Sequence, residues 1–309
     1  MPTARPRLLL TLLDALGGNV GNRDFQKLLF LFAQECEEDS SYDFVPFKYG
    51  GFSFTSYADR RRLIQEKFLV DDENSWLLTE AGRQVAITKG SKRLAVDRFC
   101  HGLRALRGAD LIAYAYRRYP YYAIHSEIVA SVLPDSEDRA LVEAARPASR
   151  PPGVVTIGYE GKSLEGFLNQ LLADGITLLC DVRRNPISRK YGFSKRVLSQ
   201  ACTDVRIRYE HIPELGIASD QRQELNSQKD YDVLFAAYEK FDLPKQTSAI
   251  ERIVDWIQKH RQRVALTCFE ALPEQCHRHC VAEAVAAKLR KATINHLGRS
   301  CRKNAFLLR

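Results

Sequence analysis

The sequence predicts an α/β protein in two parts. A mainly helical, winged-helix-like amino-terminal domain precedes a Rossmann-like carboxy-terminal domain built on a mostly parallel sheet. Three observations predict this. The 309 residues exceed one ordinary domain. The stretch EAARPASRPPG at 143–153 combines Pro, Ala, Ser, Arg and Gly and separates two periodic regions. Beyond it, short β-branched runs alternate with helical ones, which is the βαβ pattern. The expected division is 1–145 for the first domain, 146–152 for a linker and 153–309 for the second domain.

In the first domain, RPRLLLTLLDAL reads as an amphipathic helix. Its apolar run is short, carries Asp14 and lacks a small-residue cleavage site, so it is expected to be a helix of a soluble, cytoplasmic protein and not a signal peptide. NRDFQKLLFLFAQECEE follows as a helix opened by an Asn cap. YDFVPFKYGGFSF is aromatic and Gly-rich and reads as strand, loop, strand. SYADRRRLIQEKFLV is a third helix, and FLVDDENSWLLTEAGRQV reads as a two-stranded wing turning at Asp71–Asn74. Helix, helix, helix and wing suggest that Arg60, Arg61 and Arg62 face DNA from the third helix. The aromatic run YAYRRYPYYAIHS at 114–126 is expected to be an inter-domain packing surface, with single-strand stacking as the alternative.

In the second domain, GVVTIGYEG is a strand ending in a Gly-flanked turn, and SLEGFLNQLLADG is a helix. ITLLCDVRRNP is a buried strand whose unbroken apolar run suits a parallel sheet. A helix at 195–203 leads to the strand RIRYEHIPELG, then helices at 229–242 and 247–261. RVALTCFEAL is a further strand, CHRHCVAEAVAAKL a helix and ATINHLG the last strand.

The charge is uneven. Residues 151–309 carry 25 Lys+Arg against 18 Asp+Glu, a net of +7 out of the chain's +8. A basic domain suggests a polyanionic partner, with DNA, double- or single-stranded, the leading candidate. No run of 18 or more apolar residues suggests a membrane span. The eight cysteines are spread through a large chain, the usage of reduced cytosolic thiols.

In open parallel sheets, functional groups gather outside the carboxyl ends of the strands. That rule selects Tyr159, Glu160 and Lys162 after the first strand, Asp181, Arg183 and Arg184 after the second, Tyr209 and His211 on the third, and Cys268 and Glu270 after the fourth. Asp181, Glu160 and Glu270 are the candidate catalytic carboxylates, and the residue pattern does not rank them. The loop RRNPISRKYGFSKR offers Arg183, Arg184, Arg189, Lys190 and Lys195 to phosphates, with Tyr191 and Phe193 as stacking candidates. Arg278 at a helix amino terminus is expected to hold phosphate, and His277 to line the same pocket. In CFEALPEQCHRHC at 268–280 the Cys spacings depart from structural zinc patterns. Cys276 and Cys280 share a helical face, His277 is expected to point elsewhere and Cys268 lies on a strand. The cysteines therefore read as packing, with no metal and no cofactor expected.

TIGYEGKSLEGFL, CDVRRNPISRKYGFSK, YEHIPELG and CFEALPEQCHRHCVAE, in that order, resemble the motifs of the bacterial family known as domain of unknown function 488, over about residues 153–297. QKLLFLF and YDFVPFKYGGFS resemble, more loosely, the winged-helix-like domains of Panacea-type antitoxins. These resemblances imply the fold and the location of the site and leave the reaction open.

The expected function is a DNA-acting enzyme of repair or base modification, a hydrolase of the N-glycosylase type. A carboxylate would stabilise the oxocarbenium-like transition state at C1′, and Tyr159, Tyr191 or Tyr209 would stack on a flipped base. The alternatives are a thiol- or metal-dependent small-molecule enzyme using Cys268 and Cys276, and a non-enzymatic DNA-binding regulator.

Overall fold

The computed structural model describes residues 2–87, 89–103, 105–222, 225–289 and 293–298. Cys301 and the rest of the carboxy-terminal stretch lie outside the described residues. The chain divides into two compact units, Met1–Arg146 and Pro147–Arg309.

The first unit opens with α1 (Ala4–Ala15), β1 (Asn19–Gly21) and α2 (Asn22–Glu35). The cap of α2 is Gly21 and not Asn22, whose side chain instead donates to the Glu73 carbonyl at 2.6 Å. The hairpin β2 (Val45–Phe47) and β3 (Gly50–Phe52) precedes α3 (Phe54–Gln65), which Ser53 caps through the Ser56 amide. Strands β4 (Leu69–Val70) and β5 (Ser75–Leu78) form the wing, and β1 joins them in an antiparallel sheet of order β1-β5-β4. Asp72 shapes the wing turn by accepting from the Asn74 and Ser75 amides at 3.0 and 2.7 Å. The unit continues through α4 (Glu80–Val85), α5 (Ser91–Gly102), α6 (Gly108–Arg118), α7 (Val129–Val132) and α8 (Ser136–Ala144).

Two sequence expectations change here. Arg60 is buried, and its guanidinium donates to the Asp72 and Ser75 carbonyls, so it ties α3 to the wing instead of facing solvent. Arg61 and Arg62 remain exposed, with Arg62 paired to Glu66 one turn on. The aromatic run serves the first unit's own core. Tyr119 and Tyr122 pack edge-on against Phe30 at 5.3 and 4.6 Å, and Tyr116 is buried.

The second unit carries β6 (Gly153–Gly158), α9 (Leu164–Ala173), β7 (Leu178–Asp181), α10 (Lys195–Asp204) and β8 (Arg208–His211). Then come α11 (Gln228–Ala237), α12 (Thr247–Gln258), β9 (Arg263–Cys268), α13 (Arg278–Lys288) and β10 (Asn295–Leu297). The five strands pair in parallel in the order β10-β6-β9-β7-β8. This is the Rossmann-like sheet that the alternation of strands and helices predicts. The central strands β6, β7 and β9 are buried along nearly their whole length, as a sheet covered on both faces requires. Because β9 returns between β6 and β7, the ends of β6, β9 and β7 lie side by side. Residues 159–160, 268–270 and 181–184 are thereby brought to one edge of the sheet.

Candidate functional site

Asp181 ends β7 fully buried, and its carboxylate is saturated. Arg183 reaches it bidentately, Nε to Oδ1 at 2.8 Å and Nη2 to Oδ2 at 2.5 Å. The Arg183 amide and the Tyr209 hydroxyl add bonds at 3.1 and 2.7 Å. The remaining Arg183 nitrogen donates to the Tyr159 hydroxyl and the Phe193 carbonyl, both at 2.9 Å. Burial works against the Arg183 charge, but Asp181 outweighs it and holds the guanidinium above its ordinary value. Burial, reinforced by Asp181, likewise raises the Tyr209 hydroxyl.

This network changes the parts expected of five residues. Asp181 and Arg183 hold each other, so neither presents a free group for base catalysis or phosphate binding. Tyr159 stacks face to face on Phe193 at 4.3 Å and both rings are buried, so neither offers an open face for a flipped base, while the Tyr209 hydroxyl is tied to Asp181. Tyr159 still contributes to a cavity wall. His211 sits behind the network. Its Nε2 donates to the Arg183 carbonyl at 2.9 Å, which leaves Nδ1 to accept from Lys195 at 3.2 Å. Lys162 donates to the Gly158 carbonyl at 2.9 Å, and Lys190 lies 3.4 Å from the Tyr159 carbonyl, its ammonium lowered by partial burial.

Two glycines of the sequence motifs are required by close approach. A Cβ on Gly158 would stand 1.8 Å from the Glu270 carbonyl oxygen, and one on Gly216 would stand 2.1 Å from the Arg184 amide nitrogen. The loops after β9 and β7 therefore press against neighbouring backbone with no room for a side chain.

Between these loops lies a cavity of about 330 Å³. The stretch after β7 lines it through Arg183, Arg184, Asn185, Ile187, Ser188 and Arg189, and Cys268, Phe269, Glu270, His277, Ile217, Arg222 and Tyr159 complete the lining. Arg184 and Arg189 are exposed at its rim. Glu270 is 16% exposed and bonded through Oε1 to Arg222 Nη2 at 3.1 Å. Its Oε2 has no nitrogen or oxygen partner among the described residues. Burial would raise the Glu270 carboxyl, but Arg222 and the Cys276 thiol outweigh burial and hold it below the usual carboxylate value. Glu160, the third candidate carboxylate, is exposed and accepts from the Ala271 amide at 2.9 Å. Tyr191 on the basic loop and Lys195 at the start of α10 are exposed. A larger cavity of about 580 Å³ on the first unit lies beside Arg117 and Arg118, each already paired to a carboxylate, Asp138 and Glu35. It offers less chemistry than the smaller one.

CFEALPEQCHRHC folds differently from its sequence-based expectation. Arg278 is 1% exposed, and its two terminal nitrogens donate to the Glu270 and Ala271 carbonyls at 2.6 and 3.0 Å. It holds the loop after β9 and does not face a phosphate. His277 does not point away: its Nε2 lies 3.0 Å from the Val182 carbonyl and its Nδ1 3.9 Å from Cys268 Sγ. Cys268 Sγ, Cys276 Sγ and a His277 ring nitrogen all fall within 4.8 Å of one another, and all three residues are buried. Burial pushes the Cys276 thiol well above its ordinary value, and its hydrogen bond with Cys268 adds to this. Cys280 does not join them; it gathers instead with His279 and Glu239.

Sequence reasoning missed Arg222, and it brought Cys276 together with Cys268 only in the thiol- or metal-dependent alternative. Arg222 lies between β8 and α11 in a stretch without a motif, and nothing in the sequence separates it from the other arginines. The cysteine convergence depends on the short turn Pro273–Gln275 folding the chain back onto β9.

The model of the family described as "Domain of unknown function DUF488" matches residues 163–285, from the start of α9 into α13. Residues 163–285 are a DUF488 domain. That span holds Asp181, Arg183, Arg222, Cys268, Glu270, Cys276 and His277, while Tyr159 and Glu160 lie just before it. No curated protein and no solved structure matches the chain. Among the described residues, no helix is long and apolar enough to cross a membrane.

Proposed function

We propose that the DUF488 domain is a DNA-acting enzyme, an N-glycosylase that excises a damaged or modified base, with Glu270 as its working carboxylate. The observation that carries this reading is the state of Glu270. It stands in a cavity rimmed by exposed arginines, held ionised by Arg222 and with one oxygen uncommitted to any nitrogen or oxygen donor. A fixed carboxylate stabilises the positive charge that develops at C1′ as the C1′–N bond breaks. Water then adds at C1′, and the base leaves carrying a proton. The cavity lies at the small end of ligand sites, suited to one extruded nucleotide, with Phe269, Ile187 and Ile217 as its apolar walls. Arg184 and Arg189 hold the flanking phosphates, and the net charge of +7 on residues 151–309 draws in the strand.

The test is incubation of the full chain with single strands and duplexes carrying varied damaged or modified bases, scored by abasic-site formation. Wild-type protein is expected to release one class of base, and Glu270→Gln to abolish release while retaining DNA binding. Salt-dependent DNA binding with no base release from any substrate would favour the non-enzymatic regulator instead.

A further inference from the structure

We propose that Cys268 Sγ, Cys276 Sγ and His277 Nδ1 form a three-ligand site for a borderline-soft divalent cation of the zinc class, at the floor of the Glu270 cavity. The site stands independently of the glycosylase reading.

The first support is geometry. Zinc bonds of roughly 2.3 Å to sulfur and 2.0–2.1 Å to nitrogen give tetrahedral edges of about 3.5–3.8 Å. The Cys268 Sγ to His277 Nδ1 separation is 3.9 Å, and the three ligand atoms lie within 4.8 Å of one another. Small rotations of these side chains close the set around one ion.

The second support is the histidine tautomer. The Val182 carbonyl can only accept, so His277 Nε2 carries the proton in that 3.0 Å bond. The lone pair of neutral His277 is therefore on Nδ1, the nitrogen facing the sulfurs. A backbone carbonyl on the far ring nitrogen is the usual orienting partner of a metal-bound imidazole.

The third support is preorganisation. Cys268 and Cys276 flank a loop pinned from two sides. The Tyr159 and Glu160 amides donate to the Cys268 and Phe269 carbonyls at 3.3 and 2.8 Å. From the other side, buried Arg278 holds the carbonyls of Glu270 and Ala271. Charge closes as well: two thiolates neutralise a divalent ion, and Arg222 neutralises Glu270. Cys268 and His277 both line the cavity, so the fourth position of a bound ion opens onto it. Three protein ligands with one open position is the pattern of a catalytic zinc, which lowers the pKa of a bound water.

The experiment is cobalt titration of the reduced, metal-stripped full chain, followed by displacement with zinc. The expected result is one equivalent of Co(II) with a thiolate-to-cobalt charge-transfer band and the intense visible bands of tetrahedral cobalt. Cys268→Ser and Cys276→Ser should each weaken binding by at least the roughly 10–100-fold that loss of an outer-shell partner costs. Cys280→Ser should leave the spectrum unchanged. Zinc should raise the melting temperature of wild type by mass action. Absence of the charge-transfer band in folded wild-type protein overturns the proposal, whatever the variants do. Bands that survive in Cys268→Ser and Cys276→Ser but vanish in Cys280→Ser also overturn it, by moving the metal to Glu239, His279 and Cys280. Because the readout is spectroscopic, it stands or falls separately from base release.

Discussion

Two clusters meet at the carboxyl edge of the sheet, and they are built on opposite plans. Around Asp181, every polar group is paired: two carboxylate oxygens receive Arg183 and Tyr209, and Arg183 spends its remaining nitrogen on Tyr159 and Phe193. Around Glu270, the polar groups converge without closing. One carboxylate oxygen lacks a nitrogen or oxygen partner among the described residues, two sulfurs and an imidazole face one another, and the cavity opens beside them. A saturated buried network fixes shape, since every interaction it can make is already made. Chemistry needs groups with capacity left over. The difference marks the first cluster as support and leaves the second with the capacity that the proposed chemistry needs, although the sequence presents both as polar residues at strand ends.

That contrast can be broken most sharply at Asp181. Asp181→Ala strands the Arg183 charge in the interior and is expected to destabilise the second unit by about 3–5 kcal/mol, measured by urea unfolding. Stability unchanged to within about 0.5 kcal/mol would show that the network is not structural. Arg278→Met comes next. It leaves the Glu270 and Ala271 carbonyls without their donors, at roughly 1–3 kcal/mol, and is expected to loosen the loop that carries Glu270, read by hydrogen exchange of that segment.

Glu270→Gln sharpens the contrast from the other side. Its stability cost at pH 7 is expected to be no more than about 1 kcal/mol, while base release is lost; a cost equal to that of Asp181→Ala would erase the distinction. The pH dependence has a definite sign. The folded-state Glu270 carboxyl is held below its unfolded value, so the unfolded chain binds more protons in the acid range. Its contribution is fully present above the unfolded carboxyl value and is lost as pH falls through the folded one. Wild type should therefore lose stability relative to Glu270→Gln on acidification below about pH 4.5, with no such difference between pH 6 and 8. The smallest expected effect is Arg184→Ala, within about 0.5 kcal/mol in stability. It should lower the slope of log affinity for DNA against log salt by about one.

Much of the second unit was legible before any coordinates. The runs VVTIG, LLCD and RVALTC are unbroken apolar strands bounded by turns, and their alternation with helices admits few arrangements besides a parallel sheet. The sheet-edge rule then pointed to the neighbourhood where the structure places the Glu270 cavity. It could not rank the three carboxylates, because Asp181, Glu160 and Glu270 are chemically alike and differ in what surrounds them. One is sealed by Arg183, one is exposed to solvent and one faces a cavity. Arg60 and Arg278 misled for the same reason. Arginine in a sequence reads as surface charge, yet its long side chain with five donors also serves to satisfy buried carbonyls.

The sequence by itself determined the periodicities, and with them the order of helices and hairpin strands in the first unit, the βαβ order of the second and the basic charge of residues 151–309. These are properties of near neighbours along the chain, and local spacing is enough to express them. Only the tertiary structure decided that β9 inserts between β6 and β7. That insertion brings Cys268 and Glu270 against Arg222 and lets the turn at Pro273–Gln275 return Cys276 and His277 to the same point. Which polar groups are saturated and which retain capacity depends on partners tens of residues away, and no local pattern carries that information.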